Sequence, residues 1–353
     1  MKSRFKDIFG KFGEISIAVL GDYCLDEYLW IDAELNEPSL ETGLVAYQCV
    51  KRETYPGAAG TIAKNLANLG IGEVYAIGYV GGDGRGLELC RGLDILGVNC
   101  EGLVTANDRV TPTYTKPWIK ENGQQREMSR IDSKNWTPTP PELEEAVIAQ
   151  LDKILNRIDA LIIMDQMTEE NCGIITDSVR QWLTKTAAEN PELILYADSR
   201  SRIGLFDGVM IKGNQYEIAN AVYGEGHHQP AAGLSVPQAE DLAEIDRACE
   251  QLRQKNGCPV VCTLGAKGVR IYTDSVINVP ALEVAGQTDV CGAGDMFTSA
   301  FVSALTAGAG MEQASVIGNI AAAICVGQLG TSGNVNTTDI LQMEFGNDIL
   351  QYK

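Results

Sequence analysis

The apolar positions fall into two rhythms. Short, nearly unbroken apolar runs such as Ile15-Ser16-Ile17-Ala18-Val19-Leu20-Gly21 read as buried strands, and stretches with apolar residues every three or four positions read as helices. In chain order the pattern predicts a strand over 15–21, a helix from Thr61 to a glycine C-cap at Gly70, a strand over 74–80 and a helix from Glu88 to Leu96. It continues with helix 141–156, strand 159–164, helix 170–188, strand 193–197, a short strand 209–212, helix 238–255 and strand 259–263. A glycine turn from Thr263 to Gly268 leads to a strand over 269–272, and Ala- and Gly-rich helices near 298–305 and 312–326 close the series. Strand and helix in alternation predict an α/β fold, a mainly parallel sheet wrapped by helices. Two segments, about 28–55 and 111–131, break the rhythm with partly alternating residues interrupted by Pro38, Gly43 and Glu121-Asn122-Gly123. They predict antiparallel strands that leave the main sheet and pair as a small β lid, or that make a dimer contact alone.

Parallel sheets bind ligands at the C-terminal ends of their strands. Asp22, Asp26, Asp165, Asp198 and Asn214 all follow strand runs, so each is a candidate ligand contact, with a turn residue or helix cap as the ordinary alternative. The strongest stretch is Asp289-Val290-Cys291-Gly292-Ala293-Gly294-Asp295, which opens the helix over Met296 to Val302. Small residues at a helix start let backbone amides and the helix dipole cradle an anion. A carboxylate at that spot repels the anion unless it takes a proton from whatever attacks it, so Asp295 is either a general base or an ordinary N-terminal cap. Asn319, in the small apolar run 317–323, is buried and needs either a ligand or a helix-helix hydrogen bond.

Charge narrows the partners. With 47 acidic and 28 basic residues in 353, the net charge is −19, a field that disfavours nucleic acid and anionic membrane. Ten scattered cysteines without a C-x-x-C pair read as reduced thiols of a cytoplasmic protein. The only histidines, His227 and His228, are adjacent in a polar stretch, which excludes a His-rich zinc site and disfavours a Ser-His-Asp triad. Neither a secretion signal nor a run of membrane-spanning length occurs.

The cradle stretch, with Ser299-Ala300 behind it, resembles the C-terminal signature of the PfkB (ribokinase-like) carbohydrate kinases, and Gly57 to Gly70 resembles their N-terminal signature. The resemblance covers about residues 15–333. Gly21-Asp22-Tyr23-Cys24-Leu25-Asp26, the lid-like segments and Gln328-Leu329-Gly330-Thr331-Ser332 are most similar to the heptose-phosphate kinase branch. It implies one kinase domain over 1–353, a ribokinase-like three-layer sandwich with a small β lid. It further implies ATP and Mg²⁺ as cofactors, a small sugar or sugar phosphate as acceptor, and a homodimer through the lid.

Carried over by residue, the resemblance makes Asp295 the general base and Gly292, Ala293 and Gly294 the amides on the transferring phosphoryl group. Asp26, Gly57, Thr61 and Asp165 would meet the acceptor. Asn214-Gln215-Tyr216-Glu217 matches an N-x-x-E motif that orients Mg²⁺ through water at Glu217. Thr263, Gly265 and Gly268 would border ATP, Asn319 its adenine side, and Asp289 with the Val290 carbonyl a monovalent-cation loop, K⁺ in many members. Arg202 and Lys212 would neutralise phosphate, since phosphoryl transfer asks mainly for alignment and charge neutralisation. Asp198-Ser199-Arg200-Ser201-Arg202 is similar to the D-x-N-x-R stretch of ketodeoxygluconate-type kinases, with Arg200 in place of Asn. Thr61 and Cys24 also stand where Asn is usual, Gly213 replaces a common Pro, and Asp165-Gln166-Met167 lacks the Tyr and Lys of the heptose-kinase D-Y-x-K-G stretch. The catalytic end is intact and the acceptor end altered. A catalytically silent nucleotide- or sugar-binding protein and a nucleoside kinase are the alternative readings, and the H-x-G-H motif of a nucleotidyltransferase does not occur.

Overall fold

The structure, a computed structural model, describes residues 2–224, 242–328 and 333–346. The start of the helix expected at 238, the histidine pair 227–228 and residues 329–332 of the heptose-branch resemblance lie outside them. Sixteen strands occur among the described residues. They are β1 Ser16–Gly21, β2 Tyr23–Asp32, β3 Glu37–Pro38, β4 Val45–Ala46, β5 Cys49–Ala58, β6 Glu73–Gly81, β7 Asn99–Ala106 and β8 Thr113–Glu121. The chain continues with β9 Gln124–Glu127, β10 Ile131–Ser133, β11 Ala160–Asp165, β12 Ile194–Ser199, β13 Met210–Asn214, β14 Val260–Thr263, β15 Val269–Tyr272 and β16 Val276–Val279.

Nine strands form the main sheet in the order β16-β15-β14-β13-β12-β11-β1-β6-β7. From β7 to β14 every neighbour is parallel, and β15 and β16 turn back as an antiparallel edge. Alternation along β1 sorts residues to two cores: Ile17 and Val19 pack on one face, Ala18 and Leu20 on the other. The first core is closed by the helices Ala59–Leu69, Gly84–Ile95, Ala293–Thr306 and Met311–Val326, the second by Pro141–Ile154, Asp177–Glu189, Gln215–Tyr223 and Leu242–Asn256. This is the three-layer α/β arrangement that the alternation predicts.

The two off-rhythm segments do pair, as a second sheet ordered β10-β8-β2-β5 with β9 on β8. It differs from expectation in one respect: β2 and β8 run parallel, although β2 and β5 are antiparallel. Strand β2 begins at Tyr23, one residue after β1 ends at Gly21, so Asp22 is the joint between the sheets. Its carboxylate accepts from the amides of Gln166 (2.9 Å), Met167 (3.0 Å) and Ile174 (2.8 Å), tying the joint to the loop after β11. That loop also explains a shortened helix. Residues 170–176, expected to be helical, include Asn171 in the left-handed region at φ 54°, and the helix starts only at Asp177, capped by the Thr176 hydroxyl. The helix expected at Glu88 begins earlier, at Gly84, because Asp83 caps it through Gly86 N at 2.8 Å. Edge strand β7, whose polar residues hide its strand pattern, and the helices Lys2–Phe9, Gln215–Tyr223 and Thr337–Gly346 had no counterpart in the sequence reading.

No described helix is long and apolar enough to cross a membrane, and all ten cysteines are free thiols.

Replacing Asp22 by Ala leaves three amides without their acceptor at the joint of the two sheets. Urea unfolding should show a loss of roughly 3 kcal/mol, the scale of orphaned buried donors to a carboxylate. A loss below about 1 kcal/mol, the scale of an ordinary surface change, would remove Asp22 from this role.

Candidate functional site

The site lies where β12, β13 and β14 deliver their C-terminal residues toward the start of helix Ala293–Thr306. Gly292, at the N-cap of that helix, sits in the left-handed region at φ 77°, which glycine adopts without strain and which reverses the chain into the helix. The first intrahelical bond runs from Met296 N to Gly292 O at 2.9 Å, so the amides of Gly294 and Asp295 precede it at the positive end of the dipole. The Ala293 amide, expected to face a phosphoryl group, donates instead to the Val290 carbonyl at 3.3 Å.

Beside this cradle stands a buried ion pair. Lys212, at the centre of β13, approaches Asp198, next to last in β12, with Nζ to Oδ2 of 2.5 Å, and the Thr298 hydroxyl reaches the same oxygen at 3.5 Å. The register pairs Asp198 directly with Lys212, and Thr298 lies one helical turn beyond Asp295. The amine also overhangs the cradle: a Cβ built on Gly294 would come within 3.2 Å of Lys212 Nζ. Burial alone would lower the lysine's pKa. Asp198 first, then Glu217 and Asp295, more than offset this and hold it above its ordinary value.

Asp295 is recessed but not sealed from solvent. Burial first, then the Asp198 charge, push its pKa up to about 7, opposed by Lys212 and Arg200. Glu217 is raised for the same two reasons in the same order. Its spacing from Asn214 has a purely structural account as well. Asn214 Oδ1 accepts from Tyr216 N (2.9 Å) and Glu217 N (3.0 Å), and Glu217 Oε2 accepts from Asn214 N (2.7 Å), a complete capping box on helix Gln215–Tyr223. Among the described residues no cluster of three or more His, Cys, Asp or Glu holds a metal by itself. Mg²⁺ bound mainly through phosphate oxygens and water needs no such cluster, and carboxylates that raise one another's pKa suit a nearby cation.

The second sheet presents the opposing wall. Asp26 and Tyr28 share one face of β2, and register places Lys116 of β8 against Tyr28. Lys116 Nζ lies 3.1 Å from Asp26 Oδ1, 3.2 Å from the Tyr28 hydroxyl and 4.9 Å from its ring centre. Gly57 makes room: a Cβ there would sit 2.8 Å from Asp26 Oδ2. The electrostatic reach of Asp26 and Lys116 includes Cys291 in the cradle loop, and that of Asp26 includes Asp295, so the two walls face each other.

Other expected residues are placed elsewhere. Asp165 is fully buried and takes Arg202 (3.0 Å), the Ser199 hydroxyl (2.7 Å) and, more distantly, Arg180 (3.8 Å). Arg202 is thereby joined to Asp165 and to the Met167 and Thr168 carbonyls, not to the cradle. Thr61 is buried with its hydroxyl on the Pro56 carbonyl at 3.2 Å, and Cys24 is also buried. Asn319 donates to the carbonyls of Val279 (3.1 Å) and Pro280 (3.0 Å), pinning the end of β16. Gly268, at φ 93°, is required by that same chain end, since a Cβ would meet Val279 O at 2.2 Å. Thr263 ends β14 opposite Asn214, and Gly265, at φ 57°, leaves open space beside the backbone. Sequence reasoning listed Asp198 only as a strand-end candidate contact and assigned no role to Thr298, Lys116 or exposed Arg200. The strand-end position of Asp198 and the alternation along β2 were the available signals.

The sequence profile of the pfkB family carbohydrate kinases matches residues 22–338. Bifunctional protein HldE of Wolinella succinogenes is 29% identical over 322 residues, covering 90% of this chain and 62% of that protein. Bifunctional protein HldE of Shewanella baltica (strain OS185) is 30% identical over 323 residues, covering 91% and 62%. The chain thus spans somewhat under two thirds of the length of these relatives. Arabidopsis thaliana ribokinase complexed with ribose and ATP superposes with a TM-score of 0.67 at 19% identity, covering 93% of this chain and 98% of that one. Phosphofructokinase-2 from Escherichia coli in complex with potassium gives 0.66 at 18% identity, covering 93% and 97%. These likenesses establish a ribokinase-like fold.

Because Asp198 raises the pKa of Asp295, substituting Asp198→Asn makes ionisation of Asp295 easier. A rate that needs ionised Asp295 rises with pH through about 7, and in the variant that limb should move to lower pH. An unmoved limb in a pH profile of kcat/KM would deny the coupling.

Proposed function

The chain is a member of the pfkB family of carbohydrate kinases, and we propose that it transfers the γ-phosphoryl group of ATP to a hydroxyl of a sugar or sugar phosphate. The observation that carries this reading is the conjunction at the start of helix Ala293–Thr306. A carboxylate with pKa near 7 stands in the same turn as a glycine-lined amide cradle, and a buried ammonium overhangs that cradle. In this reading Asp295 accepts the proton of the acceptor hydroxyl as its oxygen attacks phosphorus. The amides of the first turn and Lys212 hold the charge that spreads over the phosphoryl oxygens. Asp198 and Thr298 keep Lys212 in place. Thr263 and Gly265 border the nucleotide, with Asn214 and Glu217 toward its phosphates. Mg²⁺, oriented near Glu217, would supply further neutralisation of phosphate charge.

On the acceptor side, Asp26, whose carboxylate rests against Gly57 where a Cβ would clash, would take sugar hydroxyls. Relatives named HldE agree with the heptose-phosphate kinase branch that the first motif suggested. The second sheet serves as lid. It also exposes Leu35, Leu40, Leu44, Val45, Tyr47, Val50 and Ile131 on or between its strands, an apolar surface suited to the same surface of a second copy.

Three measurements test this function. ADP release should appear with at least one member of a panel of sugars, sugar acids, sugar phosphates and nucleosides, and binding without turnover across the panel would favour a silent protein. Asp295→Asn should lower kcat by about 10²–10⁴-fold while leaving ATP affinity and folding nearly unchanged; turnover near wild type would acquit Asp295. Light scattering should find a dimer that Leu44→Asp dissociates, whereas a monomeric wild type at micromolar concentration would leave the small sheet as a lid only.

A further inference from the structure

Behind the wall that bears Asp26, the small sheet is tied to the helix Gly84–Ile95 by charged side chains. Glu27 follows Asp26 on β2, so its side chain leaves the opposite face of the strand. It is 6% exposed. Its carboxylate accepts from the Thr115 hydroxyl of β8 at 2.6 Å and from Arg52 Nε of β5 at 2.7 Å, and Arg85 of the helix stands 3.6 Å away. Arg52 then reaches across to the helix. Its two terminal nitrogens pair with the two oxygens of Glu88 at 2.9 and 2.7 Å, and the Thr54 hydroxyl joins the first of these oxygens at 2.9 Å. The same helix also holds the root of β8: Asp83, its N-cap, accepts from the amide and the hydroxyl of Thr111, both at 2.9 Å.

A single exposed ion pair would contribute little. Arg52 differs because it forks onto Glu88 while also bonding a buried carboxylate, and charged hydrogen bonds of that geometry are the strong ones. Burial alone would raise the Glu27 pKa, but Thr115, Arg52 and Arg85 more than offset it and hold it below the ordinary value. Glu27 is therefore ionised at neutral pH. Swinging the small sheet away from the helix would part Arg52 from one of its two anions, whereas the present angle satisfies both.

Resting on the kinase reading above and on Asp26 as its acceptor contact, we propose that Glu27, Arg52 and Glu88 are positioning residues for the acceptor. Their bridge across the back of the small sheet fixes the angle at which the front presents Asp26 to the cradle, although none of the three is an acceptor contact.

The test uses the full chain with Mg·ATP and whichever sugar, sugar acid, sugar phosphate or nucleoside of the panel releases ADP with wild type. Glu88→Ala cuts the bridge on the core side and leaves the Arg52–Glu27 pair in place. Hydrogen exchange in β2, β5 and β8 should quicken by about fivefold or more, with β11 and β12 unchanged. Since a misplacement of about 1 Å can cost about 10²-fold, kcat/KM for the acceptor should fall at least about tenfold while KM for ATP stays within about twofold. Glu88→Gln, which keeps an oxygen for Arg52 and Thr54, should return most of that loss. A folded Glu88→Ala with wild-type exchange and wild-type kcat/KM overturns the proposal, and so does a rise in KM for ATP equal to the acceptor effect. Should Glu88→Ala fail to fold, Arg52→Lys decides by the same split, because a lysine keeps the charge without the fork. Absence of ADP release by wild type with every panel member overturns the kinase reading and this proposal with it.

Discussion

An acidic protein that binds a polyanion has to place its few positive charges where the anion will be. This chain carries a net charge of −19, and its cleft adds Asp26, Asp198, Asp295 and Glu217 to the repulsion. The Asp198–Lys212 pair meets that constraint. An unpaired lysine at this depth would tend to lose its proton, whereas a 2.5 Å contact with Asp198 keeps it charged and holds it over Gly294. The same aspartate raises the affinity of Asp295 for a proton. One carboxylate therefore both holds the cation at the cradle and adds to burial in bringing the neighbouring carboxylate's pKa to the range in which it can accept a proton at neutral pH.

The pair is delivered by sheet register, and the opposing wall by a single residue of connection. Strands β12 and β13 set Asp198 and Lys212 side by side because the parallel register pairs them, near the edge where ligands bind. Strand β1 ends on that edge too, and the chain goes straight on as β2 of the smaller sheet. Asp22, between them, spends its carboxylate on three amides of the loop after β11. The wall bearing Asp26 thus starts from a fixed point.

Much of this was legible in the sequence because it depends on local pattern. Apolar runs gave the parallel strands, and the glycines of 289–295 gave the helix start with Asp295 in its first turn. What was not legible depends on long-range pairing. Asp165 and Arg202, each read as a ligand contact, satisfy each other across 37 positions. Asn319 satisfies the carbonyls at the end of β16, forty positions away. Lys64 had no reading in the sequence, and it is buried because its helix is covered on nearly all sides, with nine of its eleven residues buried. Strand β7 was missed because an edge strand with a half-wet face lacks the unbroken apolar run that marks a central one.

The acceptor end was the least legible part, and the two carboxylates expected there are physically unequal. Asp165 is about 1% exposed and carries two arginines and a serine hydroxyl. A sugar hydroxyl would have to displace charged hydrogen bonds in a dry site, where an orphaned arginine is strongly unfavourable. Asp26 and Lys116 are 24% and 17% exposed. Water can solvate either partner as the pair opens, so exchanging Lys116 for a hydroxyl donor needs little free energy. Of the two, Asp26, on the strand pair β2 and β8, is therefore the carboxylate that an incoming hydroxyl would reach with the smaller penalty. Asp165, through Arg202, holds the loop after β11 to which the joint at Asp22 is tied.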